Sequence, residues 1–419
     1  MDIFNRIGST ASAAMNKGAK RKSVGQDGNQ PARPRSSEDG PIIGEEDETS
    51  VLDQEQGNII HAMISQLRIG MDLQRISFPT FVLEPRSMLE RITDFMSHPE
   101  LVFGAESIQS PEERFIRVLS YYLSGWHIKP KGVKKPYNPI LGEIFRCSYE
   151  YPDGTKGFYV AEQVSHHPPI SAYFYISPHN KIRIAGELRP KSRFLGNSVS
   201  TVMEGENRLY MFGRPEDGEY VLELPNMYAR GILFGSMVFE LGDTTQCKCA
   251  ATGQSCNVEF KTKGYFSGSY NNIAGKLKSN NTEIGAIEGT WSHEFAFKDV
   301  KTGERRVLFN AKSQTKDVVQ KTVRPESEQE PNESRRLWSK LTTAIGNKDM
   351  EAAQNAKSAV EDAQRDLAKE REAKGTPFQP RFFELRNGLW YAKIQMIENP
   401  DEMVTATENW IWPPAPSAS

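Results

Sequence analysis

Residues 157–176 read GFYVAEQVSHHPPISAYFYI. Tyr, Phe, Val and Ile dominate, the composition of a strand that packs on a pleated surface. Two adjacent histidines on a regular strand face opposite ways. Pro168 and Pro169 disturb that arrangement, since neither donates a ladder hydrogen bond and both fix φ. The break can aim His166 and His167 at one spot.

On either side, β-rich segments run from about residue 140 to residue 312. Residues 181–188, 201–212, 219–224, 231–241, 257–265, 275–278, 284–297 and 306–310 share the pattern, with turn residues such as Pro152-Asp153-Gly154 between them. No helical segment separates successive strands, so the sheet is antiparallel rather than built from βαβ units. So many strands in one run leave exposed edges unless the sheet curls. The expected fold is therefore mostly β with helices, built around a large barrel or near-barrel wide enough to hold a ligand.

The flanks read differently. Residues 1–52 carry too little apolar mass to fold, with basic residues followed by an acidic run at Glu45, Glu46, Asp47 and Glu48. Ile59, Ile60, Met63, Ile64 and Leu67 form the stripe of a short helix. Residues 78–83 read as an extended connector, because Pro79 does not continue a helix. Two helices are expected next, over 88–96 and after the Ser110-Pro111 cap. Beyond Pro331 the pattern predicts one helix over 333–345, a second over 351–374 that stops at Gly375, and an irregular aromatic stretch over 378–419.

The formal net charge of −2 gives no general attraction to nucleic acid. Cys147, Cys247, Cys249 and Cys256 lack the partners of a tetrahedral zinc set, so no metal site is expected. There is no apolar run of about 18 residues and no secretory signal pattern, which makes a cytoplasmic protein the expectation.

Three features carry possible chemistry. The first is the His166-His167 pair, whose ring N–H groups suit a phosphate. A metal site, an acyltransferase centre and a strand end with no function are the other readings; the acyltransferase pattern requires Asp where this chain has Ser171. The second is KKPYNPILGE at 134–143, where two prolines stiffen a turn bearing Lys135 and Asn138. The third is Lys357, Glu361 and Arg365, which share one helical stripe at i, i+4 and i+8. No phosphate-binding loop, nucleophile elbow or zinc-protease motif is present, and no catalytic residue is assigned.

Taken together, EQVSHHPP at 162–169, KKPYNPILGE at 134–143, KSRFLGNS at 191–198 and ESRRLW at 333–338 resemble the oxysterol-binding-protein-related lipid-transfer family. The resemblance implies a large incomplete antiparallel β-barrel enclosing a lipid tunnel, with an N-terminal lid and a C-terminal helical subdomain. It divides the chain into a tail (1–52), lid and connector (53–83), N-terminal helical part (84–130), lipid-binding barrel core (131–320) and C-terminal subdomain (321–419). It implies headgroup-binding roles for Lys135, Asn138, His166, His167, Lys357, Glu361 and Arg365. Lid or acyl-chain roles fall to Ile59, Ile60, Met63, Ile64, Leu67 and Leu83.

Residues 78–91 resemble the branch that carries phosphatidylserine, although Phe78 stands where leucine is expected. The implied function is exchange of phosphatidylserine for phosphatidylinositol 4-phosphate, without enzymatic turnover or any cofactor beyond the lipid. A monomer meeting membrane surfaces transiently, for instance at contacts between endoplasmic reticulum and plasma membrane, is the expected setting. A sterol/phosphatidylinositol 4-phosphate exchanger, a phosphoinositide sensor and a lipid-headgroup enzyme stay open as alternatives.

Overall fold

The computed structural model describes residues 49–50, 67–73, 79–129, 133–232, 237–264 and 268–413. Ile59, Ile60, Met63, Ile64 and Phe78 lie outside the described residues. Short strands β1 (Thr49–Ser50), β2 (Leu83–Ser87) and β3 (Lys135–Tyr137) precede the main run, and β2 pairs parallel with β3. The main run comprises β4 (Ile144–Glu150), β5 (Lys156–His166), β6 (Pro169–Ser177), β7 (Ile182–Phe194), β8 (Ser198–Glu204), β9 (Glu206–Met211) and β10 (Glu219–Glu223). It continues with β11 (Asn226–Arg230), β12 (Met237–Cys249), β13 (Gln254–Lys261), β14 (Asn272–Ser279), β15 (Thr282–Thr290), β16 (Glu294–Asp299) and β17 (Arg305–Asn310).

Together with β1 these form one 15-stranded antiparallel sheet. Its two longest strands fork. The first half of β7 pairs with β9 and its second half with β8, while β12 pairs with β11 and then β10. Residues 201–212, expected as one strand, are two. Gly205 separates them at φ +120°, where an added Cβ would lie 2.0 Å from the Glu187 carbonyl oxygen. The stretch 157–176 likewise resolves into the hairpin β5–β6, with His166 opposite Pro169 and a cis bond between His167 and Pro168.

The sheet does not close by hydrogen bonds, because β4 and β17 are not partners. Later chain covers the outer edge of β4, with Ser148 and Thr322 exchanging bonds of 3.0 and 2.8 Å. Helix α1 (Met88–Arg91), continued as a 3-10 turn, and helix α2 (Pro111–Ser124) lie against the concave side. Phe115, Leu119 and Tyr122 of α2 share one cluster with Phe145 of β4, Leu209 of β9, Phe260 of β13 and Phe309 of β17. Each such fully buried side chain stabilises by about 1.5–3 kcal/mol.

The β5–β6 hairpin is buried on both faces. Tyr159, Ala161, Tyr173 and Tyr175 join the concave core, whereas Phe158, Val160, Phe174 and Ile176 join a second cluster. That second cluster corrects the expectation of an irregular C-terminus. Residues 378–413 contain a hairpin, β18 (Phe383–Arg386) and β19 (Leu389–Ala392), followed by a helix over Pro400–Ile411 capped by Asn399. Phe382, Phe383 and Ile411 are buried against β5 and β6, and Trp390, Trp410 and Trp412 pack beside them.

The expected single helix over 333–345 is also two. After α3 (Ala311–Gln314), helices α4 (Ser334–Leu337) and α5 (Ser339–Gly346) meet at Trp338, ahead of α6 (Met350–Lys374). The reason for the break is Glu143, whose side chain is enclosed in protein. Its carboxylate accepts from Trp338 Nε1 at 3.0 Å, Ser334 Oγ at 2.7 Å, Ser87 Oγ at 2.5 Å and the Ile140 N–H at 3.1 Å. One acid thus ties the end of β2, the turn before β4 and the α4–α5 junction together.

Glu143→Ala leaves the Trp338 and Ile140 N–H groups without an acceptor, at about 1–3 kcal/mol each. The variant is expected to unfold in urea with a loss of about 2–6 kcal/mol; a loss below about 1 kcal/mol would contradict the role given to this carboxylate.

Candidate functional site

The turn ending β5, the β3 segment and helix α6 enclose a cleft of about 610 Å³. Each wall is positioned by its own local chemistry. Strand β3 is held by register with β2, where Leu83 lies opposite Lys135, and the Tyr137 ring meets Trp338 at 5.2 Å, tilted by 40°. The Asn138-Pro139 turn is fastened by the Ile140–Glu143 bond. The other wall is α6, capped by Asp349 and ended by Gly375 at φ +60°. Ala353, Ala356 and Val360 seat that helix on Leu83, Tyr137 and Leu341.

Lys135, Asn138, His166, His167, Lys357, Glu361 and Arg365, predicted from three separate stretches of sequence, all line this one cleft. Leu83, expected beside acyl chains, forms part of the same wall. Leu67 instead packs on the cluster of Leu73, Phe81, Val82 and Phe194. Gln364, Arg371, Trp338 and Phe378 also line the cleft and were not foreseen. Gln364 and Arg371 continue the stripe begun by Lys357 and Glu361, so extending the same helical period by two more turns would have found them.

The His166 and His167 rings meet at 4.6 Å between centroids, inclined at 63°. Burial and the neighbouring His167 push His166 down to about 4, opposed by a bond to the Pro139 carbonyl. His166 is therefore neutral at pH 7, and its Nδ1 has no partner among the described residues. Gln163 steadies the strand beneath by donating to the Ser165 carbonyl at 2.8 Å and accepting from Ser171 Oγ at 2.5 Å. Glu162 accepts backbone N–H groups of Arg381 and Phe382 at 2.7 and 2.8 Å.

Electrostatically the cleft is one-sided. Lys135, Lys357, Arg365 and Arg371 face one carboxylate, Glu361. That acid is shared between Lys357 at 3.5 Å and Arg365 at 3.7 Å. Lys357 is 9% exposed, which marks the deep end of the cleft. Lys135 is open at the surface, yet surrounding protein and the Lys357 ammonium lower it to about 8, with Glu361 opposing. Cations gathered this way favour an anion with several acceptor oxygens. A second, smaller cavity of about 50 Å³ lies on the concave side, lined by Met88, Phe95, Trp126, Met203, Met227 and Phe239 among others.

A family model described as oxysterol-binding protein matches residues 62–412. An oxysterol-binding protein homolog of Schizosaccharomyces pombe is 47% identical over 347 residues, covering 80% of this chain and 72% of the relative. Oxysterol-binding protein homolog 6 of Saccharomyces cerevisiae is 40% identical over 409 residues, covering 92% and 90%. Among solved structures, the Osh1 ORD domain in complex with cholesterol aligns with a TM-score of 0.67 at 22% identity, covering 92% of this chain and 94% of that one. The Saccharomyces cerevisiae Osh3 ORD in complex with PI(4)P aligns at 0.62 and 20% identity, covering 85% and 93%. These structures share the fold.

Binding an anion favours the charged form of Lys135, so above pH 8 the bound state retains a proton that the free state loses. Affinity for sulfate, which does not titrate in this range, is expected to fall between pH 7 and pH 9.5, by at most about tenfold per unit. Calorimetric titration should show that slope flattened in Lys135→Met; an identical slope in both proteins would contradict the assignment.

Proposed function

The chain belongs to the oxysterol-binding protein family, and from that premise we propose that it is a lipid-transfer protein exchanging phosphatidylserine for phosphatidylinositol 4-phosphate. The observation that carries this reading is the convergence of Lys135, His166, His167, Lys357 and Arg365 on one cleft, in a chain whose net charge is −2. The local excess of positive charge selects an anionic headgroup. Asn138 adds a neutral amide, and Glu361 holds Lys357 and Arg365 in place while offering an acceptor to ring hydroxyls.

In this reading Lys135, Asn138 and Lys357 take the phosphodiester, and the histidine pair with Arg365 takes the ring phosphate. A phosphate oxygen beside His166 favours the protonated ring, which adds a second charge-assisted donor as the ligand arrives. Acyl chains run into the apolar concave interior, where each buried CH₂ contributes about 0.8 kcal/mol. The small cavity edged by Met88, Met203 and Met227 is its starting point, because thioether side chains repack readily. Residues 53–83 act as the lid and connector.

Both lipids use one cavity, so their binding is mutually exclusive. A phosphoinositide gradient then drives the second lipid against its own, at about 1.4 kcal/mol per tenfold ratio. No helix among the described residues is long and apolar enough to cross a bilayer, which suits transient docking at membrane surfaces such as contact sites. Phosphatidylserine is assigned on the resemblance of residues 78–91 to the branch that carries it.

The double variant His166→Ala/His167→Ala should lose extraction of phosphatidylinositol 4-phosphate from liposomes at least tenfold while keeping its thermal unfolding midpoint within a few degrees. Undiminished extraction defeats the headgroup site. Mass spectrometry of lipids captured from mixed liposomes decides the counter-lipid; sterol in place of phosphatidylserine would reassign the branch.

A further inference from the structure

Two buried histidines take no part in the headgroup cleft. His98 follows the 3-10 turn Ile92–Met96, and His127 closes the 3-10 turn Gly125–His127 after α2. His98 is 0% and His127 2% exposed. Their Nε2 atoms lie 2.7 Å apart, so one proton serves both. His98 Nδ1 lies 3.1 Å from Glu100 Oε1, while His127 Nδ1 is buried without a partner among the described residues. The Phe309 ring of β17 closes the pair off, its centroid 4.9 Å from that of His98 and 5.2 Å from that of His127.

These contacts fix where protons can go. Two neutral rings carry two protons. Glu100 accepts, so one proton sits on His98 Nδ1, and the other sits on His127 Nε2 and is donated to His98 Nε2. His127 Nδ1 is the ring nitrogen left bare. A third proton must land there, whichever ring carries the added charge, unless the Nε2 contact breaks. Nothing among the described residues accepts at that nitrogen, and a buried charged donor without an acceptor is strongly unfavourable. The facing charges leave this unchanged. Glu100 lies at the far nitrogen of His98, and Arg117 donates to its main-chain carbonyl at 3.3 Å. Asp94 is paired with Arg86 at 2.8 Å and Arg91 at 2.9 Å, Lys129 lies over the Trp291 ring, and β17 presents the uncharged Phe309. Burial, and then the His98 ring, push His127 down to about 3, with Asp94 opposing.

The pair backs the wall of the concave interior. Gly125, Trp126 and Ile128, on either side of His127, line the smaller cavity, as do Asp94 and Phe95. Phe95 meets Trp126 edge-on at 4.7 Å. We propose that His98 and His127 form an acid-sensitive seam, which holds this wall shut while both rings are neutral and loosens it in mild acid, so that bound lipid leaves faster. The release clause rests on the lipid-transfer reading; the seam itself does not. An opened wall lets water reach His127, which then takes up a proton near the ordinary imidazole value of about 6.5. The closed wall refuses that proton until about 3. The closed form therefore loses ground as pH falls below about 6.5, by at most about tenfold per unit in the opening equilibrium.

The test follows hydrogen exchange of residues 120–129 at pH 7.5 and pH 5, corrected for the intrinsic pH dependence of exchange, in the full chain and in His127→Gln. Glutamine still offers an N–H to His98 Nε2 but does not titrate in this range. Opening of the segment should rise about 30-fold in the wild-type protein and less than about threefold in the variant. An equal rise in both overturns the seam. Release of phosphatidylserine bearing a fluorescent acyl chain should accelerate over the same interval in the wild type alone. Opening without faster release overturns the link to the lipid. Should the variant not fold, the wild-type ¹⁵N histidine spectrum at pH 7.5 decides: His127 must be the Nε2–H tautomer, and a proton on its Nδ1 overturns the proposal. A chain that takes up no phosphatidylserine fails the transfer reading alone, and exchange at 120–129 still decides the seam.

Discussion

Glu143 is a fully buried acid, and its surroundings satisfy it with four donors from three parts of the chain. Burying an ion costs several kcal/mol unless hydrogen bonds compensate, so such a group persists only where the geometry around it is tightly specified. Burial raises the pKa of Glu143, and the bonds from Ser87, Ser334, Ile140 and Trp338 oppose that shift. What the interaction specifies is the relative placement of β2, the Asn138-Pro139 turn and the α4–α5 junction. Those three elements carry Leu83, Asn138 and Trp338 into the cleft wall, and α6 packs on the same platform.

With the platform fixed, the cleft can tolerate an arrangement that is unfavourable without ligand. Lys135 and Lys357 repel each other, and His166 is forced toward neutrality by burial and by His167. An anion relieves both effects, which gives binding a charge term that an uncharged lipid does not receive. The helix stripe tempers the repulsion through Glu361, so the site is poised rather than simply cationic. In the proposed reading the apolar interior contributes affinity without discriminating between headgroups, so selection falls to the cleft.

Much of this was legible in residue order. The run of strands without intervening helices pointed to a curled antiparallel sheet, and the i, i+4, i+8 stripe placed Lys357, Glu361 and Arg365 together. That the stripe faces His166 and His167 came only from the resemblance, because no local period reports which helix lies against which turn. The misreadings have physical causes of the same kind. Gly205 bends the chain where it crosses the Glu187 carbonyl, and Trp338 breaks a helix to reach Glu143. The 383–392 hairpin was missed because its strands are four residues each and are stabilised by docking on β5 and β6.

The central claim is that a phosphate settles between the β5–β6 turn and α6. It is tested most directly by the ¹⁵N spectrum of the histidine side chains at pH 7, recorded with and without bound phosphatidylinositol 4-phosphate. The account predicts that His166 moves from a neutral to a protonated imidazole when the lipid is bound, with His167 shifting alongside it. Stoichiometrically bound lipid that leaves both imidazoles unchanged would contradict it.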